Sequence, residues 1–208
     1  MAKSGNATAR RKRLTQIRDK AADCRRCPLW KRGTQTVFGE GPASARLMLV
    51  GEQPGDQEDL AGEPFVGPAG QLLRAALSEA GLEPSEVFLT NAVKHFKWEA
   101  RGKRRIHERP NHEEVLACRL WLDEEIEIVQ PAMIVALGAT AAATLLGSSA
   151  KVTRDRGTFF PSTLAPLVSL TVHPSSILRA PDSAARSAAR AEFIKDLKTF
   201  ARKLNKVP

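Results

Sequence analysis

Residues 45–56 read Ala-Arg-Leu-Met-Leu-Val-Gly-Glu-Gln-Pro-Gly-Asp. The apolar run that starts at Leu47 stops at Gly51, and a Gly/Pro-rich loop follows to Gly67, a pattern that suits a buried strand. Three similar runs lie downstream, at residues 86–91, 132–137 and 167–172. Helical patterns separate them. Residues 69–80 carry Leu72, Leu73, Ala76 and Leu77 on one face, with Gly81 as the C-terminal stop. Asn111 caps a helix reaching to about Val129, with Glu113 and Glu114 in its favourable first turn. Residues 138–147 form a short helix and residues 183–204 the last one. Strands alternating with helices predict an α/β fold, a three-layer α/β/α arrangement around a central, mainly parallel, four-stranded sheet.

Right-handed crossovers put the carboxyl end of every parallel strand on one edge, and open α/β sheets bind ligands there. The polar residues that follow the strands are Gly51-Glu52-Gln53-Pro54-Gly55, then Asn91, then His173-Pro174-Ser175-Ser176. They converge on one rim although they are far apart in the chain.

The length of 208 residues predicts a single domain over 14–208 behind a basic, disordered tail, 1–13. With 42% hydrophobic and 26% charged residues the chain has a globular composition. No apolar stretch approaches the roughly 18 residues that a membrane span needs. The basic start lacks the apolar run of a secretory signal. Three cysteines cannot all pair, so a secreted disulfide scaffold is excluded and a reducing cytoplasm is expected. The net charge of +9 comes from residues 1–32, which hold 11 Lys/Arg against two Asp; the remainder balances at 21 of each sign. A second basic cluster, residues 94–109, has seven Lys/Arg against Glu99 and Glu108. It occupies a connection of unusual length, a place where functional loops occur.

Several constellations carry chemistry. Cys24-x-x-Cys27, Cys118 and His95 together make a Cys3His donor set, which suits structural zinc and an iron–sulfur cluster alike. Gly51 to Asp56 is no phosphate loop, because the Gly-Lys-Ser/Thr ending is missing and its acids repel phosphate. Its glycines allow close approach to a flat ligand, and Glu52 can stabilise a cation or act as a base. Phe65 can stack on a base, and Asn91 offers donor and acceptor together to a pyrimidine edge. Ser175, Ser176 and Arg179 suit phosphate contacts. In Lys103-Arg104-Arg105-Ile106-His107, anchored by Ile106, the cations would grip phosphates and present His107 to a reaction centre.

Taken together, CRRCPL (24–29), GEQPGDQEDLAGEPFVGPAGQLL (51–73), LTNAVKHFKW (89–98), ACRLWL (117–122), LGATAA (137–142) and TVHPSSILR (171–179) resemble the iron–sulfur uracil-DNA glycosylases. The resemblance covers about residues 24–200. Within that superfamily, the loop ending in Lys-Arg-Arg-Ile-His and the histidine at His95 look like the DNA-crosslinking subfamily called UdgX; hydrolytic relatives normally carry cysteine at that second position. The resemblance implies a uracil-DNA glycosylase-like fold and a 4Fe-4S cluster held by Cys24, Cys27, His95 and Cys118. It implies a flipped-out uracil bound by Gln53, Asp56, Phe65 and Asn91, with Glu52, His107 and His173 catalytic. Lys103, Arg104, Arg105, Ser175, Ser176 and Arg179 would hold the strand. The partner implied is uracil-containing DNA, single-stranded at least as readily as double-stranded because extruding a base costs least there. The expectation is a DNA-repair enzyme, a cytoplasmic monomer, that becomes covalently linked to the abasic sugar through His107. A turning-over hydrolytic glycosylase, or a non-catalytic nucleic-acid-binding protein with a structural metal, is the alternative.

Overall fold

The structure is a computed structural model that describes residues 2–207. In chain order its elements are α1 (Ala2–Ala22), β1 (Leu47–Gly51), α2 (Asp56–Ala61), α3 (Pro68–Glu79), β2 (Val87–Asn91), β3 (Trp98–Arg101), β4 (Arg104–His107), α4 (His112–Val129), β5 (Met133–Leu137), α5 (Ala139–Leu146), α6 (Val152–Asp155), β6 (Phe159–Phe160), β7 (Leu167–Thr171), α7 (Pro174–Leu178) and α8 (Ser183–Leu204). The main sheet runs β2-β1-β5-β7-β6. Its first four strands are parallel, and β6 is antiparallel to β7.

Side chains alternate across a strand, so each parallel strand serves two cores. Leu47 and Leu49 join Met133, Val135 and Leu137 on one face, covered by Leu73 and Leu77 of α3 and by Phe193, Leu197 and Phe200 of α8. Met48 and Val50 join Ile134, Ala136, Val168 and Leu170 on the other, covered by Leu122 and Ile126 of α4 and by Ala141 and Leu145 of α5. Each large side chain buried here contributes roughly 1.5–3 kcal/mol. The three-layer α/β/α architecture is therefore observed.

Three differences from the sequence reading have physical causes. The sheet has five strands, not four, because the two-residue edge strand β6 is too short to leave an apolar run. Residues 98–107 of the basic connection are a hairpin, β3 against β4, turning at Gly102 with φ +60°. Its exposed strands lack the apolar alternation that betrays a half-buried strand. Residues 2–13, expected in a disordered tail, belong to α1; Met1 lies outside the described residues. Ile17 and Ala21 of α1 bury against Phe38 and Ile128. Arg10 donates to the carbonyl of Val129 (2.9 Å), and Arg13 pairs with Glu127 (3.0 Å), so cations meet the carbonyl end of α4. No described helix is long and apolar enough to cross a membrane.

Candidate active site

The carboxyl edge of the sheet opens into a cavity of about 720 Å3 lined by Glu52, Phe65, Asn91, His107 and His173, together with Gln53, Ser175, Ser176 and Arg179. That volume lies within the range of small-ligand sites. Gly51 and Asn91 are paired at the ends of β1 and β2. A Cβ on Gly51 would lie 2.3 Å from Asn91 Oδ1 and 2.9 Å from Phe65 Cζ, so only glycine lets the amide and the ring meet the strand end. Phe65 itself has φ +58°, a strained conformation for a bulky residue. Two features hold it. Gly70 lets the Phe65 carbonyl lie 1.8 Å from where a Cβ would stand. The buried Glu58 carboxylate accepts from the Gly55 (3.1 Å) and Gly67 (2.8 Å) amides, closing the loop that carries the ring. The Phe65 ring faces the His173 ring at 6.1 Å between centroids, tilted by 26°.

His173 caps α7. Its Nδ1 accepts from the Ser175 amide at 3.2 Å and faces the Ser175 hydroxyl at 2.8 Å. That assignment leaves the ring proton on Nε2. Burial, aided by the charges of Arg179 and His107 and opposed by Glu52, pushes its pKa down to about 4. The ring is thus a neutral donor at physiological pH.

His107 ends β4, and its Nε2 stands 3.2 Å from Glu52 Oε1. Glu52 Oε2 accepts from Thr140, and Arg109 Nε lies 3.9 Å from the same oxygen. Burial alone would raise the Glu52 carboxyl. Hydrogen bonds from His107 and Thr140 and the charges of His107 and Arg109 outweigh it, holding the carboxyl below its usual value.

Other expected site residues also make contacts that fasten the hairpin. The Gln53 amide nitrogen donates to the carbonyls of Lys97 (3.1 Å) and Glu108 (3.0 Å), and its oxygen accepts from the Lys97 amide (3.1 Å). This side chain therefore fastens the hairpin base. Arg105 bonds Asp56 (2.5 Å) and Asp59 (2.6 Å), so Arg105 and Asp56 form a latch between hairpin and α2 and neither lines the cavity. Arg105 was expected on phosphate and Asp56 on the base; here the two pair with each other. Lys103 and Arg104 are exposed near the hairpin turn, outside the cavity lining. Thr140, Arg109 and Glu58 went unrecognised. A threonine opening a helix looks like an ordinary cap, and Arg109 reads as one more cation in a basic run.

The candidate metal donors lie outside the cavity lining, Cys24 and Cys27 after α1, His95 after β2 and Cys118 in α4. Trp121 Nε1 donates to Cys24 Sγ and the Lys94 amide donates to Cys118 Sγ, both at 3.2 Å. Cys27 packs with Leu29, Val93 and Cys118. Burial pushes the Cys118 thiol up to about 12 and raises Cys27 as well; the neighbouring cysteines add to both shifts. His95 is buried, and its ring would lie 3.2 Å from a Cβ on Gly33. Three free thiols within electrostatic reach of one another, two of them already receiving N–H donors, fit an iron–sulfur cluster in donor chemistry. Among the described residues, however, no three His, Cys, Asp or Glu side chains form a closed coordination group.

A family model described as the uracil DNA glycosylase superfamily matches residues 38–198. A type-4 uracil-DNA glycosylase of Pyrobaculum aerophilum is 40% identical over 194 residues, covering 90% of this chain and 92% of the relative. One from Thermotoga maritima is 37% identical, covering 90% and 94%. One from Saccharolobus solfataricus is 35% identical, covering 81% and 78%.

Proposed function

The chain belongs to the uracil-DNA glycosylase superfamily, and from that premise we propose that it excises uracil from DNA and retains the abasic sugar as a covalent adduct on His107. The observation that carries the second half is the placement of the His107 imidazole 3.2 Å from Glu52 on the cavity wall. Membership of the family supports the first half.

A uracil rotated out of its strand enters the cavity beside Phe65, which stacks on it, and Asn91, which reads its edge. The His173 Nε2–H donates to the uracil oxygen that gains charge as the base leaves; a donor aimed at developing charge is among the strongest catalytic devices. The C1′–N1 bond breaks with its electron pair going to uracil. The Glu52 carboxylate stabilises the sugar cation. His107 Nε2 forms the new bond to C1′, and its proton passes to Glu52 and on to the departing base. An imidazole held in place has a high effective concentration, which lets it outcompete water. Ser175, Ser176 and Arg179 on the rim, with Lys103 and Arg104 on the hairpin, contact strand phosphates; Arg105 instead secures the hairpin. Cys24, Cys27, His95 and Cys118 would hold a 4Fe-4S cluster, a cross-link between the N-terminal segment, the loop after β2 and α4. We propose that the enzyme works as a cytoplasmic monomer on single-stranded at least as well as on duplex DNA.

The second reading is a turning-over glycosylase that delivers water; the relatives are named as uracil-DNA glycosylases, a name that fits both. A denaturing gel with a uracil-containing oligonucleotide separates the two. Capture gives a band that survives SDS and boiling and disappears in His107→Ser. Catalytic uracil release with no stable band rejects capture and keeps the glycosylase. No reaction with uracil rejects both, and leaves a binding protein. Iron and sulfide analysis of the purified protein tests the cluster.

A further inference from the structure

Thr140 opens α5 and is 5% exposed. We propose that Thr140, aimed by Arg109, is a positioning residue for Glu52, fixing the orientation of the carboxylate so that Oε1 faces His107. The inference rests on the reading of Glu52 as the group that steadies the sugar cation and receives the proton of His107.

Arg109 Nε donates to Thr140 Oγ1 at 3.1 Å. A guanidinium only donates, so it engages an oxygen lone pair and leaves the hydroxyl proton for another acceptor. That acceptor is Glu52 Oε2. The two carboxylate oxygens are thereby distinguished: Oε2 is tied to Thr140, and Oε1 faces His107. Without the threonine the carboxylate is free to rotate, and Arg109 at 3.9 Å could draw it away from the imidazole. Threonine hydroxyls in helices commonly turn back to the preceding turn of backbone; here the hydroxyl reaches across to the end of β1 instead. The charged and titratable groups facing Glu52 are His107 from β4, Arg109 from the segment behind it and His173 from the end of β7. The Thr140 hydroxyl carries no titratable charge, so its bond to the carboxylate persists across the pH range.

The test is the pH profile of single-turnover uracil release from a single-stranded uracil oligonucleotide. Thr140→Val, which keeps the shape and removes the hydroxyl, should slow release about tenfold at neutral pH, as expected for a lost bond to a charged group. It should also move the acid limb to higher pH, because a carboxylate that loses a donor is harder to ionise. Thr140→Ser should recover to within about threefold of wild type with the wild-type limb. Arg109→Met, altering a side chain that is 67% exposed and outside the core, should move the limb in the same direction by less. A uniform slowing at every pH in Thr140→Val, or Thr140→Ser as impaired as Thr140→Val, overturns the proposal. If Thr140→Val does not fold, an unmoved limb in Arg109→Met overturns it. Glu52→Gln at wild-type rate across the range would instead remove the role of Glu52 on which the inference rests.

Discussion

His107 and Glu52 touch at 3.2 Å although they are positioned by different sheets, one ending a two-stranded hairpin and the other following strand β1 of the main sheet. The contact is set by backbone anchoring. Gln53, the next residue after Glu52, holds both ends of the hairpin through three hydrogen bonds.

Arg105 is the second anchor of that hairpin. Its guanidinium bonds Asp56 and Asp59, and it also donates to Thr34 Oγ1 at 3.2 Å. Arg105→Met should cut adduct formation on uracil oligonucleotides about tenfold or more, since small misplacement of a reacting group is costly. Uracil release should fall less. Equal losses in the gel band and in released uracil would show that the latch does not act through His107.

His173 should make folding stability depend on pH. Its folded pKa, about 4, lies below the ordinary value of 6.5, so between the two the unfolded chain binds the extra proton. The contribution is complete above the unfolded value and is lost as pH falls toward 4. The depressed Glu52 carboxyl acts in the same direction, its contribution fading as pH falls through its own folded value. Thermal melts should drop as pH falls from neutral, and His173→Gln should flatten that drop. The same replacement should slow uracil release by roughly 100-fold, the scale for losing an oxyanion donor.

Gly51→Ala tests the narrowness of the cavity floor. The added methyl would meet Asn91 Oδ1 and Phe65 Cζ at separations that real atoms avoid. Binding of uracil oligonucleotide should weaken at least about tenfold, with about 1–3 kcal/mol lost from stability by overpacking. Wild-type affinity by fluorescence anisotropy would mean that the base does not approach this strand end.

Lys94 and Glu125 form an ion pair with no exposure of either side chain. Lys94 Nζ donates to Glu125 Oε2 (2.7 Å), Thr90 Oγ1 (2.6 Å) and the Asn91 carbonyl (2.9 Å), while Glu125 Oε1 accepts from the Gly39 amide (2.8 Å). Removing one partner strands a buried charge. Lys94→Met or Glu125→Leu alone should cost about 3–5 kcal/mol in urea unfolding, and the double replacement should recover much of it. Additive losses would mean that the two charges do not act as a pair.

The layered fold was legible because Leu47, Met48, Leu49 and Val50 are buried on both faces, and a strand between two cores must be continuously apolar. Glu52, Asn91 and His173 were legible for the same reason: they interrupt or follow such runs at one edge. The hairpin was not, because a β-ribbon lying against the body leaves no periodic apolar face in Trp98-Glu-Ala-Arg or Arg104-Arg-Ile-His. The part of α1 before Leu14 reads as a tail because its many cations resemble a solvated segment. Ile17 and Ala21 supply the helix's seam, and the acceptors that hold Arg10 and Arg13 lie more than a hundred residues away. Thr140 left no trace because its importance is a distance to Glu52, and no spacing along the chain encodes that distance.

The closure of the hairpin at Gln53 also bears on how this chemistry can change. Residues 98–107 leave the body and return to it at Gln53, with the Glu108 amide bonded to the Lys97 carbonyl across the gap (3.0 Å), and Arg105 latches the ribbon to Asp56 and Asp59. Such a segment is a cassette. It shares no strand pairing with the five-stranded sheet, so a side chain exchanged at position 107 leaves that sheet's register untouched and still ends beside Glu52.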